Sequence, residues 1–155
     1  MSERGDKGYT VGECNLIQSK DAVFVETVGA IDSFQARLGW TRVVLEEKEE
    51  KQKIFQIEKD LSEIMGSLYT GEKWQNGKNR IEKIEEDSGK YSGRIKNLDG
   101  FLIPGENEVE SRVNICRTDC RGAERKLVAL KADEDVLKYF NKLSGFLFLM
   151  WSSKF

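Results

Sequence analysis

The chain has 155 residues, 25 of them basic, 27 acidic and none histidine, which gives a formal net charge of −2. This length predicts one domain over 1–155, and the charge balance predicts no general attraction to nucleic acid or to an acidic membrane surface. The absence of histidine excludes the commonest general base and the commonest metal ligand.

The predicted elements begin after a loop. Residues 1–21 contain glycines at positions 5, 8 and 12 and no hydrophobic periodicity, which is typical of a loop. From about 22 to 153, apolar residues recur at helical spacing and predict an all-α bundle of five helices. The predicted helices cover 22–44, 47–69, a weaker third segment from Ile81 to Ile95 interrupted by DSGKYSG, about 107–131, and a fifth through Val136–Met150.

The fifth helix has a wide apolar face, suited to a bundle interior or to a subunit contact. Its most apolar run, FLFLM, is far shorter than the roughly 20 residues that span a bilayer. Three cysteines form an odd number and no secretory signal precedes them, so the sequence favours a cytoplasmic protein without a disulfide framework.

The N-terminal loop is the first candidate site. Glycines let backbone amides approach a phosphate closely, the hydroxyl of Thr10 can bond it, and Lys20 adds a positive charge. The spacing is not that of a Walker A loop. A flexible N-terminus is the alternative, and the stretch considered alone favours it.

An arginine stripe is the second candidate. Arg117, Arg121 and Arg125 lie four residues apart on the fourth predicted helix, so the outer two are roughly 12 Å apart and face the same way. They suit a long anion, although salt bridges to Glu124 and Asp119 on a solvated face would also explain them. Cys116 and Cys120 are also four residues apart, but without histidine or a second cysteine pair they do not favour a metal site.

Two polar residues interrupt apolar stripes. Asp32 next to the first stripe is costly unless it has a cationic partner, and an arginine of the fourth helix is the natural one. Asn141 interrupts the fifth helix, and by itself it is more simply explained as a hydrogen-bonded polar residue of the core.

Taken in order, six segments resemble the PduO-type ATP:cob(I)alamin adenosyltransferases, and the resemblance covers nearly the whole chain. RGDKGYT matches the family's N-terminal glycine motif with Arg4 in place of a threonine, and Lys20 lies where the family has a lysine that contacts ATP. GAIDSFQ keeps the family's aspartate as Asp32. The other three segments are FLIPGE, RGAER and YFNKLSG.

The resemblance implies a ferritin-like up-down five-helix bundle assembled as a homotrimer, with ATP, Mg²⁺ and cobalamin bound between subunits. It implies that Arg117 pairs with Asp32 of a neighbouring subunit and that Phe101 presses on the lower face of the corrin. The enzyme would move the 5′-deoxyadenosyl group of ATP to the cobalt of cob(I)alamin, and a reductase or a B12-dependent enzyme would be its protein partner. The implied ATP-binding residues are Arg4, Gly5, Asp6, Gly8, Thr10, Lys20, Arg121, Glu124, Arg125 and Asn141.

The sequence departs from the family pattern at Arg4, Ser33, Gly122, Lys142 and Gly145. These changes predict weaker ATP binding, because Gly122 stands where the family has a second arginine. They leave open a diverged paralogue that binds ATP or corrinoid without transferring the adenosyl group. A further alternative is a helical bundle whose charged second helix, EEKEEKQKIFQIEKD, mediates protein contacts.

Overall fold

The structure is a computed structural model that describes residues 3–95 and 100–154. It is mostly helical, and all five predicted long helices are present. Four of them begin and end within two residues of the prediction, whereas the third covers Gly77–Ser92 instead of the predicted segment from Ile81 to Ile95. None of the helices in these ranges is long and apolar enough to cross a membrane. The elements are α1 (Glu3–Asp6), β1 (Tyr9–Val11), β2 (Ile17–Ser19), α2 (Val23–Arg42), α3 (Lys48–Thr70), α4 (Gly77–Ser92), α5 (Glu108–Leu130) and α6 (Glu134–Ser152).

The N-terminal segment is more regular than the sequence predicts. After the single turn of α1, strands β1 and β2 form an antiparallel hairpin in which Tyr9 lies opposite Ser19. Cys14 and Asn15 adopt left-handed φ angles of 51° and 61° in the connection. The prediction of a loop without elements was therefore wrong, because strands of three residues are too short to show a period of two.

The long helices alternate in direction, as the contacts between them show. Arg42 pairs with Glu58 while Phe24 packs on Tyr69, so α2 and α3 are antiparallel. Contacts in the same reversed order show that α2 is antiparallel to α5 and that α5 is antiparallel to α6, whereas α4 and α6 run parallel. The pairs that establish these directions are Thr27–Lys126, Thr41–Cys116, Cys120–Phe140, Trp151–Glu110, Lys142–Glu85 and Tyr91–Phe146.

The core lies between the five long helices, and α6 contributes more buried apolar side chains to it than any other helix. Its apolar face packs on α4 and α5 within the chain, so the width of this face does not by itself require a subunit contact. The buried members of the face are Val136, Phe140, Leu143, Phe146, Leu147 and Met150.

Helix α4 continues through DSGKYSG, where the sequence predicts an interruption. The buried ring of Tyr91 packs edge-on against Phe146 with 5.5 Å between ring centroids. Its hydroxyl donates a 2.9 Å hydrogen bond to Glu50. Tertiary packing therefore outweighs the weak helix propensity of the glycine and serines, and the helix ends before Ile95.

Candidate functional site

The N-terminal hairpin and α1 enclose an open cleft of about 920 Å³. The Lys20 ammonium group donates a 2.7 Å hydrogen bond to the carbonyl of Gly5, and the Lys20 amide donates to the carbonyl of Gly8 at 2.8 Å. Gly8 has a φ of +80°, which favours glycine. The structure thus gathers the predicted N-terminal residues, and those that line the cleft are Arg4, Gly5, Asp6, Thr10 and Lys20.

A second cleft, of about 420 Å³, lies between α5 and α6. It is lined by Arg121, Glu124 and Arg125 of α5 together with Asn141 of α6. Asn141 is exposed, so its interpretation as a polar residue of the core was wrong. The side chain instead faces the same open space as two arginines of the stripe.

The stripe does not form the salt bridges that would explain it as a solvated helix face. Asp119 pairs with Arg37 of α2 at 2.6 Å. Among residues 3–95 and 100–154, Arg121, Arg125 and Glu124 form no ion pair within 4 Å. Burial, and after it the charge of Arg121, lowers the pKa of Arg117. Within the described residues, the guanidinium groups of Arg121 and Arg125 therefore have no salt-bridge partner.

Asp32 and Arg117 do not pair within one chain. Asp32 is exposed on α2 and has no ion-pair partner in the described parts of the sequence. The Arg117 guanidinium donates to Asn114 at 2.9 Å and lies 5.2 Å from the ring centroid of Trp151. No carboxylate of residues 3–95 or 100–154 is in salt-bridge contact with it. Other ion pairs link α2 to α5 within the chain, namely Arg37–Asp119 and Glu26–Lys126.

Phe101 lies on the loop that precedes α5, here called the Phe101 loop and defined as residues 100–106. Its side chain is fully exposed, and Ile103 is 80% exposed, whereas Leu102 between them packs against the core. The ring of Phe101 therefore projects outward, while the packing of Leu102 against the core holds the backbone beside it. Such an exposed aromatic side chain contributes little to folding of the single chain.

Two further residues lie behind this loop and were not singled out in the sequence. The buried carboxylate of Glu110 accepts hydrogen bonds from backbone amides of the loop and from Trp151 of α6. The asparagine at position 107, three residues before a glutamate, is a capping signal that could have identified Glu110. No local signal could have identified Trp151, which is 41 residues away.

The cysteines of α5 are structural. Cys116 contacts the hydroxyl of Thr41 at 3.1 Å, and the thiol of Cys120 donates to the carbonyl of Phe140 at 3.6 Å. Burial raises the pKa of Cys116 to about 11 and raises that of Cys120 as well. Both groups therefore remain thiols at neutral pH, whereas metal binding requires thiolates.

Comparison with known proteins gives a consistent result. A family model described as cobalamin adenosyltransferase matches residues 1–153. The corrinoid adenosyltransferase MMAB of Bos taurus is 29% identical over 96% of this chain and 68% of its own length. The corrinoid adenosyltransferase of Bacillus subtilis is 29% identical over 95% of this chain and 81% of its own length.

A solved structure shares the fold. It is a variant of the PduO-type ATP:corrinoid adenosyltransferase from Lactobacillus reuteri complexed with cobalamin and ATP, and it superposes with a TM-score of 0.91 at 22% identity. The alignment covers 99% of this chain and 92% of that one. Since the family match extends over nearly all residues, the chain belongs to the cobalamin adenosyltransferase family.

Proposed function

We propose that the protein transfers the 5′-deoxyadenosyl group of ATP to the cobalt of cob(I)alamin and releases triphosphate. The observation that carries this proposal is the cleft in which Arg121, Glu124 and Arg125 face Asn141 without ion-pair partners in the described residues. Two guanidinium groups in one open cleft suit a polyphosphate. Membership of the cobalamin adenosyltransferase family supports the assignment.

In this mechanism the protein positions ATP and neutralises charge. The guanidinium groups of Arg121 and Arg125 would hold phosphate oxygens, while the N-terminal loop would add backbone amides and Lys20. The cobalt attacks C5′, a Co–C bond forms, and the C5′–O bond breaks as triphosphate leaves with the electron pair. Because cob(I)alamin is itself a strong nucleophile, no general base is needed, which accounts for the lack of histidine.

Mg²⁺ fits this cleft as the counter-ion of ATP. Glu124 supplies a carboxylate beside the two arginines and Asn141 supplies an amide oxygen, and oxygen atoms are the ligands that Mg²⁺ prefers. Glu124 would hold the ion together with the phosphates. The ion would offset part of the charge that develops on the leaving triphosphate.

A homotrimer would complete the site. The N-terminal cleft and the α5–α6 cleft have no lining residue in common, so a neighbouring chain could bring its N-terminal cleft against the arginines. The charges of Asp32 and Arg117, unpaired within the described chain, support a contact between copies. Sedimentation is expected to give about three times the chain mass of 17.7 kDa, and a stable monomer would contradict the shared site.

Asp32 and Arg117 are proposed to pair across this interface. Asp32→Ala and Arg117→Ala should each lower kcat/KM for cob(I)alamin, and their effects should not add. The coupling energy in a double-mutant cycle is expected to be about 0.5 to 3 kcal/mol.

Arg37→Ala is the matched control, because it removes an arginine whose ion pair lies within the chain. It should leave the corrinoid kinetics and the sedimentation coefficient near those of the parent protein. Strictly additive effects of the Asp32 and Arg117 variants would show that the two residues do not interact.

Position 122 offers a gain-of-function test. A Cβ atom at Gly122 would meet only the tip of Arg125 at 3.9 Å, so the helix has room for a side chain there. Gly122→Arg should strengthen ATP binding by about 1 to 3 kcal/mol through one charge-assisted contact, as measured by calorimetry. It should also stabilise the helix by about 0.5 to 1 kcal/mol, as measured by thermal unfolding.

Gly122→Ala separates these two effects, since it adds helix propensity without charge. It should raise the thermal stability and leave ATP affinity unchanged. If Gly122→Arg binds ATP no better than Gly122→Ala, position 122 does not face the triphosphate.

The alternative of an interaction protein with a free charged helix has less support. Charged residues of α3 pair with neighbouring helices: Glu58 with Arg42, Lys53 with Asp87 and Asp60 with Arg80.

A visible spectrum tests the function directly, because four-coordinate and five-coordinate cob(II)alamin absorb differently. Protein plus ATP should convert bound cob(II)alamin to the four-coordinate form, and an unchanged spectrum would count against the proposal.

A further inference from the structure

We propose that Glu110 is a positioning residue of this enzyme, which holds the Phe101 loop in the conformation that the corrinoid requires. The inference rests on the proposed function, because Phe101 is assigned to the corrin face. Glu110 is completely buried. It therefore acts through the groups that it binds rather than by contact with a substrate.

The Glu110 carboxylate accepts bonds from four donors. Its Oε2 atom accepts from the Gly105 amide at 2.8 Å, the Glu106 amide at 3.2 Å and the Ser111 hydroxyl at 3.2 Å. Its Oε1 atom accepts from the indole N–H of Trp151. Burial alone would raise the pKa of Glu110, but these hydrogen bonds hold it below its usual range. The carboxylate is thus charged at neutral pH.

This arrangement extends beyond ordinary helix capping. Asn107 is the N-cap of α5 and its side chain accepts from the Glu110 amide at 2.9 Å. A glutamate three residues after the N-cap normally bonds the N-cap amide. Here it reaches past Asn107 to Gly105 and Glu106, which lie outside the helix. The carboxylate therefore fixes the end of the Phe101 loop to the start of α5.

Phe101 depends on this anchor because its own side chain is fully exposed. Its direction is set by the backbone, which is held through Leu102 against the core and through Gly105 and Glu106 at Glu110. Gly105 has a φ of +117°, a conformation that strongly favours glycine. Of these two attachments, only the packing of Leu102 would remain to hold the loop after loss of the Glu110 hydrogen bonds to Gly105 and Glu106.

The Glu110 carboxylate is also connected to Arg117, through the side chain of Trp151. The indole of Trp151 donates to Glu110, and the Arg117 guanidinium lies 5.2 Å from the centroid of its ring. Glu110 is thus connected to the loop that carries Phe101 and, through Trp151, to the arginine proposed to pair across the subunit interface. We expect disturbance of Glu110 to affect the corrinoid side of the site more than the ATP side.

Glu110→Gln tests the proposal with two readouts. In the protein without ligands, hydrogen exchange at the amides of Gly105 and Glu106 should accelerate about tenfold or more, because a neutral amide cannot replace the charge-assisted bonds. With cob(II)alamin and ATP, the four-coordinate fraction should fall about fivefold or more, while the Kd for ATP changes less than about twofold.

Tyr139→Phe is the matched control. It removes one buried hydroxyl that donates to Asp60, away from the loop, and should leave both readouts near those of the parent. Glu110→Asp is a second, milder variant that keeps the charge but withdraws the carboxylate from the loop amides. It should also accelerate exchange at Gly105 and Glu106.

Unchanged exchange in either variant would overturn the anchor. Faster exchange with a four-coordinate fraction like that of the parent would overturn the positioning role. If the parent protein itself fails to form four-coordinate cob(II)alamin, the proposed function fails and the positioning role fails with it. The exchange experiment would then still decide separately whether Glu110 holds the loop.

Discussion

Arg80→Met is expected to lower the free energy of unfolding by about 3 to 5 kcal/mol, because it leaves the buried carboxylate of Asp60 without its cation. The Arg80 Nε atom lies 2.9 and 2.8 Å from the two Asp60 oxygens. Tyr139 and Gln56 also donate to Asp60, at 2.6 and 3.0 Å. Burial, and after it the charge of Asp60, raises the pKa of Tyr139, so its hydroxyl remains a donor.

Chemical denaturation would measure this loss, with Lys142→Met as the control. Lys142 pairs with Glu85 at 2.7 Å on the surface, and removing it should cost less than about 1 kcal/mol. The double variant Arg80→Met with Asp60→Leu should recover much of the lost stability, because apolar residues often replace a buried ion pair without cost. Equal stability of Arg80→Met and Lys142→Met would refute this account of the buried pair.

The second large effect is expected at Phe101 and concerns catalysis rather than stability. Phe101→Ala should slow adenosylation that starts from cob(II)alamin and an added one-electron reductant by about 30-fold or more, since truncating a central aromatic contact typically costs about 2 kcal/mol or more. The loss should be much smaller when cob(I)alamin is prepared chemically beforehand, because we propose that Phe101, by pressing on the lower face of the corrin, favours the reduction of cob(II)alamin to cob(I)alamin. Its full exposure predicts no change in thermal stability.

Phe55→Ala provides the comparison. It removes the same atoms from an exposed position on α3, where the ring lies between Arg42 and Lys59. Both adenosylation rates should remain those of the parent. If Phe101→Ala slows the reactions from cob(II)alamin and from cob(I)alamin equally, the ring does not act in reduction.

The long helices could be predicted because each carries an apolar stripe over several turns, as with Ile54, Ile57, Leu61 and Ile64 on α3. The hairpin could not, because its strands have three residues each and its turn uses left-handed Cys14 and Asn15 in place of glycine. The continuation of α4 to Ser92 depends on contacts of Tyr91 with α3 and α6, which the local sequence does not show.

The candidate site, like the fold, could be predicted from the sequence only in part. The spacing of Arg121 and Arg125 predicted one cationic face, and the resemblance to the family implied that Asn141 acts with them. In the structure all three residues line one cleft. Asp60 was missed although it lies at helical spacing from Ile57 and Ile64, a signal that a buried carboxylate leaves in the sequence. Its partner Tyr139 is 79 residues away and becomes apparent only in the folded chain.

Formation of adenosylcobalamin under a strong reductant tests the proposed function most directly. The purified protein, supplied with ATP, Mg²⁺ and chemically reduced cob(I)alamin, should produce adenosylcobalamin and triphosphate in equal amounts. Arg125→Ala should lower kcat/KM for ATP by about 10-fold to 150-fold, the kinetic equivalent of one charge-assisted contact. If the parent protein binds both substrates but forms no Co–C bond, this chain is a non-catalytic member of its family and the proposed reaction is wrong.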